Sequence, residues 1–204
     1  MKKIVICNIP MRSNNAKCVY KSQDLSLPTV DMPVYYPINA LLGKTISKND
    51  EVKVILLVKN DEQKQGKKNA TAFIEELLNI NTVEAKIDFK IIETDFSEEQ
   101  SVHEYLLAKI VDEIEDNSHI MCDITYGPKD LPIVLFSALN FAEKYLHCEI
   151  DNIIYGQAVF VDGKPTDTKL CDMSPLYYLN SVTNTIRCND SQKAREMLKT
   201  LLSL

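Results

Sequence analysis

The stretch CDITYGPKDLP, residues 122–132, joins two different sequence patterns. Residues 119–124 form a short apolar run that predicts a buried strand, and residues 130–146 have the apolar periodicity of a helix. The turn between them contains Gly127 and Lys129. A tight turn into a helix explains such a glycine, but a glycine and a lysine at a helix N-terminus also suit an anion. The spacing leaves both interpretations open.

The same alternation of strand and helix patterns runs along most of the chain. Strands are predicted at 3–9, 51–59, 86–94 and 119–124, and helices at 37–46, 67–78, 97–114 and 130–146. Strand patterns at 152–163 and 169–175 meet across Asp162-Gly163 as a hairpin, and residues 175–204 are mostly helical. This order predicts an α/β fold with a mostly parallel sheet, helices on both faces, a C-terminal β-hairpin and terminal helices.

The third helix carries a start signal of its own. Ser97 and Gln100 have the spacing of a capping box, so we expect this helix to begin near Ser97. Its buried side chains would be Val102, Leu106, Ile110 and Ile114.

Composition limits what the protein can do. At 204 residues the chain accommodates one α/β domain with a C-terminal appendage. Its net charge of −6 argues against binding to duplex nucleic acid, but leaves room for a small anionic ligand in a local pocket. The chain has no apolar run long enough for a membrane span or a signal peptide, which predicts a cytoplasmic protein with no membrane contact.

The six cysteines are scattered and form no CxxC or Cys/His cluster, so we expect reduced core thiols, no metal site and no cofactor. The three histidines are each expected to be structural or solvated. The chain has no Walker loop, GxGxxG, HExxH or GxSxG motif, so the common nucleotide-hydrolase, dehydrogenase, zinc-protease and lipase chemistries lack support.

Two loops leave the predicted carboxyl ends of strands, where open α/β sheets bind their ligands. They are NIPMRSNNAK, residues 8–17, and DITYGPKD, residues 123–130, and we expect them to face one pocket. In the second loop Thr125 can cap the helix or contact the ligand, and Tyr126 can stack on a base or lie exposed. Asp123 is expected to accept local backbone hydrogen bonds. The first loop belongs to a long polar segment, 10–32, which is typical of functional or mobile loops.

The second loop and the helix after it resemble a known family. DITYGPKDLPIVLFSALNFAEKY is similar to the signature of CRISPR-associated Rossmann-fold (CARF) domains, particularly those of type III CRISPR ancillary ribonucleases. The matching positions are Asp123, Ile124, Thr125, Gly127, Leu131 and Pro132. Weaker likenesses at KIVICNI, NIIYGQ and CDMSPLYYL extend the resemblance over about residues 1–180. It implies a Rossmann-like sensing domain at 1–179 and a helical extension at 180–204.

The resemblance also implies a ligand. CARF domains bind cyclic oligoadenylates, the second messengers of type III CRISPR antiviral defense, across a homodimer. Cyclic tetra-adenylate is the favoured ligand here, and hexa-adenylate is the alternative. Carried over by position, the ligand-binding residues would be Asn8, Ile9, Pro10, Asn15, Thr125, Tyr126, Gly127, Pro128 and Lys129.

The chain departs from the ribonuclease pattern in two ways. Tyr126 replaces a histidine, and Pro128-Lys129 replaces Phe-Arg. No histidine follows His147, so the Arg-x(4–6)-His motif of the usual HEPN output domain is missing. The lysine-bearing loop is instead similar to that of CARF ring nucleases.

Three functions remain open from the sequence. The first is a metal-independent ring nuclease in which Lys129 stabilises the transition state while Ser13 or Asn14 orients the ribose. The second is a non-catalytic sensor or sink that signals to a protein effector; here the amphipathic pattern of 191–204 either contacts a second chain or packs on its own domain. The third is the sensor part of a longer ribonuclease.

Overall fold

A computed structural model describes residues 1–13, 16–22, 27–162 and 164–203 of the chain. The described residues form a six-stranded sheet in the order β3-β2-β1-β4-β5-β6. The strands are β1 (Lys2–Asn8), β2 (Glu51–Lys59), β3 (Lys86–Thr94), β4 (His119–Asp123), β5 (Glu149–Val161) and β6 (Lys164–Asp172). Neighbouring strands pair in parallel except β5 and β6, which form the predicted antiparallel hairpin.

Helices connect the parallel strands. They are α1 (Pro37–Thr45), α2 (Gln65–Ile80), α3 (Gln100–Glu113) and α4 (Leu131–Tyr145). Right-handed crossovers in this strand order place α1 and α2 on one face and α3 and α4 on the other, in agreement with the α1–α2 and α3–α4 packing. The predicted α/β class, with a mostly parallel Rossmann-like sheet, is confirmed.

The inner strands are apolar because both faces of the sheet are covered. In β1 every residue from Lys3 to Asn8 is buried, and β2 is buried from Val54 to Val58. The edge strand β3 alternates more openly between exposed and covered positions. β5 pairs with β4 only as far as Ile154, so the rest of the hairpin extends beyond β4.

The described part of segment 10–32 is better ordered than its polar sequence predicts. Cys18 exchanges backbone hydrogen bonds with Val34, and Lys21 N donates to Thr168 O of β6. The side chains of Tyr20 and Leu27 are buried in the main core. Backbone hydrogen bonds therefore attach this segment to the edge strand β6, and its scattered apolar residues anchor it in the core.

The capping-box prediction for α3 is wrong. The helix begins at Gln100 after the N-cap residue Glu99, whose side chain makes no capping hydrogen bond, and Ser97 lies outside the helix. Phe96 adopts a left-handed φ of 50°, and this turn after β3 displaces the helix start. Leu106, Ile110 and Ile114 are buried as predicted, although Ile114 follows the last helical residue, and Val102 is only half-buried.

The described chain divides into two compact units, Met1–Asp172 and Met173–Leu204. The second contains α5 (Ser174–Thr185) and α6 (Ser191–Leu201), and Asp190 caps α6 by accepting hydrogen bonds from Gln192 N and Lys193 N. All six cysteines are free thiols. Among the described residues no helix is both long and apolar enough to cross a bilayer.

Candidate functional site

The strand order reverses between β1 and β4, and a cavity lies beyond the carboxyl ends of these strands. Its volume is about 460 Å³. The loop after β1, the loop after β4, the segment before α1 and the β5 part of the hairpin all contribute to it. The lining residues are Ser13, Ala16, Cys18, Tyr20, Tyr35, Thr125, Tyr126, Tyr155, Gly156, Ala158 and Phe160. This is the place where open α/β sheets bind ligands.

Thr125 ties the loop after β4 to the hairpin. Its hydroxyl oxygen accepts a hydrogen bond from Gly156 N at 2.7 Å, and its own N–H donates to Asp123 Oδ1 at 2.8 Å. The side chain therefore does not cap α4, one of the two roles that the sequence leaves open. Thr125 is therefore hydrogen-bonded both to β5 and to the end of β4 where the loop enters the cavity.

Asp123 is a fully buried carboxyl group beneath this loop. Burial raises its pKa to about 6, and hydrogen bonding, chiefly from Thr125, opposes that rise. The expectation that Asp123 accepts local backbone hydrogen bonds is confirmed. The carboxylate thus links the end of β4 to the loop, and its other oxygen, Oδ2, has no hydrogen-bond partner among the described residues.

Gly127 owes its identity to packing as well as to backbone conformation. Its φ of +105° is one that other residues rarely adopt, and a Cβ there would overlap Asn8 Nδ2. Asn8 is fully buried, and neither its Nδ2 nor its Oδ1 has a hydrogen-bond partner among the described residues. The β4–α4 turn therefore lies directly against the end of β1.

Gly156 is the second glycine that the site requires. A Cβ at this position would lie 2.6 Å from Pro37 Cβ and 3.3 Å from Thr125 Oγ1. The absence of a side chain lets β5 approach the first turn of α1 while its N–H reaches Thr125. The glycine in NIIYGQ is thus a local requirement of the cavity wall.

Aromatic rings make up much of the cavity wall. The Tyr126 hydroxyl donates to Tyr35 O at 3.1 Å, which fixes its ring against the core. Burial raises the pKa of Tyr20, so this hydroxyl remains protonated. Tyr155 and Phe160 are 40% and 52% exposed, so they offer free ring surface to a ligand. Lys17 Nζ lies 5.0 Å from the centroid of the Tyr35 ring, close enough for a cation–π contact.

A buried asparagine of α2 positions the loop after β1. Asn69 Nδ2 donates to Pro10 O at 2.7 Å and to Arg12 O at 2.9 Å. Its own backbone oxygen accepts a hydrogen bond from the Tyr36 hydroxyl at 2.6 Å. This network holds the chain immediately before Ser13, which lines the cavity.

The structure brings together some of the predicted site residues. Ser13, Thr125 and Tyr126 line one cavity, as expected for two loops that face one pocket. The residues Asn8, Ile9 and Pro10 are buried and are not among those lining it. Pro128 is half-buried and Lys129 is exposed outside the described lining. Asn14 and Asn15 lie outside the described residues, so their predicted roles stay predictions.

Sequence reasoning missed most of the aromatic wall. The unpredicted residues are Tyr20, Tyr35, Tyr155 and Phe160. They belong to three separate segments, and an aromatic residue beside a strand or loop usually packs in a core. The signal that the sequence does contain is Tyr155-Gly156, where a glycine interrupts an apolar strand and marks a close backbone approach.

The chemistry of the cavity is that of hydroxyl groups and aromatic faces. None of its described lining residues carries a carboxylate, an imidazole, an ammonium or a guanidinium group. Such a wall can stack against a planar ring and donate hydrogen bonds to it. A metal would find only the buried thiol of Cys18 as a strong ligand there.

No protein-family model matches the chain, and a search of curated proteins found no significant match.

Proposed function

We propose that this protein is a CARF-domain protein that binds a cyclic oligoadenylate, with cyclic tetra-adenylate as the favoured ligand and hexa-adenylate as the alternative. The observation that carries the proposal is the shared cavity, to which the loop after β1 contributes Ser13 and the CARF-like loop contributes Thr125 and Tyr126. It lies at the topological switch point of a Rossmann-like sheet. We place the protein in the cytoplasm, where the messenger is made.

The wall chemistry suits adenine. Base–aromatic stacking contributes about 1–3 kcal/mol per base, and Tyr126, Tyr155 and Phe160 present rings to the cavity. The hydroxyl group of Ser13 is available to a ribose or a phosphate, whereas that of Thr125 already accepts a hydrogen bond from Gly156 N and shapes the wall. Phosphates would lie toward the exposed Lys129 and the start of α4, where the helix dipole favours negative charge.

Dimerisation follows from the size of the ligand. A cavity of about 460 Å³ lies in the lower part of the range of roughly 300–1,000 Å³ that is typical of small-ligand pockets. A ring of four nucleotides extends beyond such a space, so a second copy of the chain would supply a second cavity around a two-fold axis.

Cleavage of the ring is the enzymatic form of the proposal. The 2′-oxygen of a ribose would form a bond to the adjacent phosphorus while the bond from phosphorus to the 5′-oxygen breaks. The proton of the 2′-hydroxyl ends on the 5′-oxygen, which leaves a 2′,3′-cyclic phosphate and a 5′-hydroxyl. Lys129 would stabilise the negative charge on phosphorus, while Ser13 or Asn14 orients the ribose. No metal or cofactor takes part.

One observation favours the second candidate, a non-catalytic sensor or sink that signals to an effector protein. The described lining of the cavity contains no charged side chain, and Lys129 lies outside it. A wall of this kind binds without supplying an acid, a base or a cation. Cleavage then requires Lys129 to move toward bound phosphate.

The test is incubation of the purified protein with cyclic tetra- and hexa-adenylate in EDTA. Calorimetry measures binding, and mass spectrometry identifies products. Lys129→Ala is compared with Lys144→Ala, which removes an exposed lysine from the other end of α4. Linear products that disappear only in Lys129→Ala support the ring nuclease. Binding without products supports the sensor, and failure of both rings to bind contradicts the proposed ligand class.

A further inference from the structure

Three side chains with metal-binding atoms meet at the amino-terminal ends of the strands, on the opposite side of the sheet's ends from the cavity. His119 is the first residue of β4, and Glu149 and Asp151 lie at the start of β5. Because β4 and β5 are parallel, their first residues lie together at the amino-terminal ends of the strands, away from the loops that line the cavity. The histidine and the two carboxylates are too far apart in sequence for motif spacing to reveal them.

A β-bulge brings the third group into position. His119 pairs with Glu149 and Ile120 with Ile150, but Met121 then pairs with Asn152, which leaves Asp151 as the extra residue of β5. Bulges are rare between parallel strands, and they redirect the side chain of the extra residue. Here the redirected carboxylate comes to lie beside His119 Nδ1.

The distances fit a single ion. His119 Nδ1 lies 3.0 Å from Asp151 Oδ1 and 3.7 Å from Glu149 Oε2, and all three ligand atoms fall within 4.8 Å of one another. Bond lengths of about 2.1 Å put two ligands of a tetrahedral zinc ion about 3.4 Å apart. The observed separations lie on either side of that value, so small side-chain rotations suffice.

The surroundings leave the two carboxylates available to an ion. Within the described part of the chain, neither Glu149 nor Asp151 forms an ion pair with a lysine or an arginine. The side chains of His119 and Asp151 are 26% and 32% exposed, whereas that of Glu149 is 78% exposed. An ion can therefore reach two partly covered ligands, and the third is free to close over it.

We propose that His119, Glu149 and Asp151 bind a divalent transition-metal ion of the zinc class, with solvent as the remaining ligand. One imidazole nitrogen and two carboxylate oxygens form a ligand set that suits Zn²⁺, Co²⁺ or Mn²⁺ rather than a cation restricted to oxygen ligands. The ion joins the amino ends of β4 and β5 and neutralises the two carboxylates. This site is independent of the oligoadenylate proposal, since it lies at the amino-terminal ends of the strands and the cavity lies beyond their carboxyl ends.

The first measurement is calorimetric titration of the full chain with Zn²⁺ under reducing conditions. We expect His119→Ala, Glu149→Gln and Asp151→Asn each to weaken binding at least tenfold. The matched control is His103→Ala, because His103 also pairs with a carboxylate, that of Asp130, and leaves the three proposed ligands intact. Equal affinity in His119→Ala and the wild type, or no Zn²⁺ binding at millimolar concentration, would overturn the proposal.

The second measurement needs no variant and excludes binding by thiols. The chain has three histidines, His103, His119 and His147, so its imidazole NMR spectrum contains its own controls. Sub-stoichiometric Mn²⁺ should broaden the ring signals of His119 and of His147, which lies two residues before Glu149, and leave those of His103 on α3 sharp. Sharp His119 signals, or broadening of His103 equal to that of His119, would contradict the assignment even if a variant failed to fold.

Discussion

Asp123 shows how one residue can serve a site and weaken the fold. Its carboxylate accepts a hydrogen bond from Thr125 N, but burial raises its pKa from 3.8 to about 6. Because the pKa is raised in the folded state, the protonated carboxyl group stabilises the protein. This contribution to the free energy of unfolding is complete below the pKa of the unfolded chain and is lost as the pH rises through about 6.

Asp123→Asn should remove this pH dependence. At 1.36 kcal/mol per pKa unit, we expect the free energy of unfolding of the wild type to fall by about 2 kcal/mol more between pH 4.5 and 7.5 than that of the variant. Urea unfolding at both pH values measures the difference. Asp112→Asn, at an exposed position on α3, is the control. Identical pH profiles for Asp123→Asn and the wild type would contradict the assigned cause.

Gly127→Ala tests the turn within the loop after β4. The new side chain would meet Asn8 Nδ2 and would be strained at φ +105°, so we expect a loss of at least about 2 kcal/mol in unfolding free energy. A double variant with Asn8→Ala should recover the part due to overlap and keep the part due to φ. If the two single effects simply add, the contact between these residues is not the cause.

At the scale of elements, α2 holds the start of α1. The buried carboxylate of Glu76 accepts hydrogen bonds from Tyr35 N at 2.8 Å, Tyr36 N at 3.2 Å and Asn39 Nδ2 at 3.1 Å. Two of these donors precede the first helical residue, Pro37, and one lies in its first turn. The same contacts fix Tyr35, whose ring lines the cavity.

Glu76→Ala should therefore destabilise the protein strongly. Removal of the acceptor leaves buried N–H groups without partners, and we expect a loss of about 2–4 kcal/mol in unfolding free energy. Glu75→Ala, at the neighbouring exposed position on α2, should change it by less than about 0.5 kcal/mol. Chemical unfolding followed by circular dichroism compares the two, and similar losses would refute the role of Glu76.

Element prediction succeeded where the pattern is local. The bounds of β2 and β3 match the predicted 51–59 and 86–94, because runs of β-branched and apolar residues end at turn-forming ones. It failed at the start of α3, where Ser97 and Gln100 have capping spacing but the left-handed turn at Phe96 decides the N-cap. A capping signal depends on the direction of the incoming chain, which no short window contains.

For the whole molecule, the proposed ligand should raise thermal stability. At one hundred times its dissociation constant, a ligand that binds only the folded state contributes about 2.7 kcal/mol. For a protein of this size that corresponds to a rise of about 5–10 °C in Tm. Scanning fluorimetry with cyclic tetra-adenylate measures it, with adenosine monophosphate as the control ligand. Lys129→Ala is scanned in parallel because it should preserve an uncleaved ring, and an unchanged Tm in both proteins would count against ring binding.

The sequence by itself determined the order of the elements, the α/β class and the two loops at the carboxyl ends of β1 and β4. Periodicity and turn residues are local, and right-handed crossovers restrict how such elements can assemble. Only the tertiary structure decided which side chains line the cavity and which three proposed metal ligands converge at the amino-terminal ends of β4 and β5. Tyr35 and Phe160, or His119 and Asp151, are distant in the chain and meet only through strand order, hairpin length and a single bulge. Contacts of that kind depend on the register of the whole sheet, which no single segment encodes.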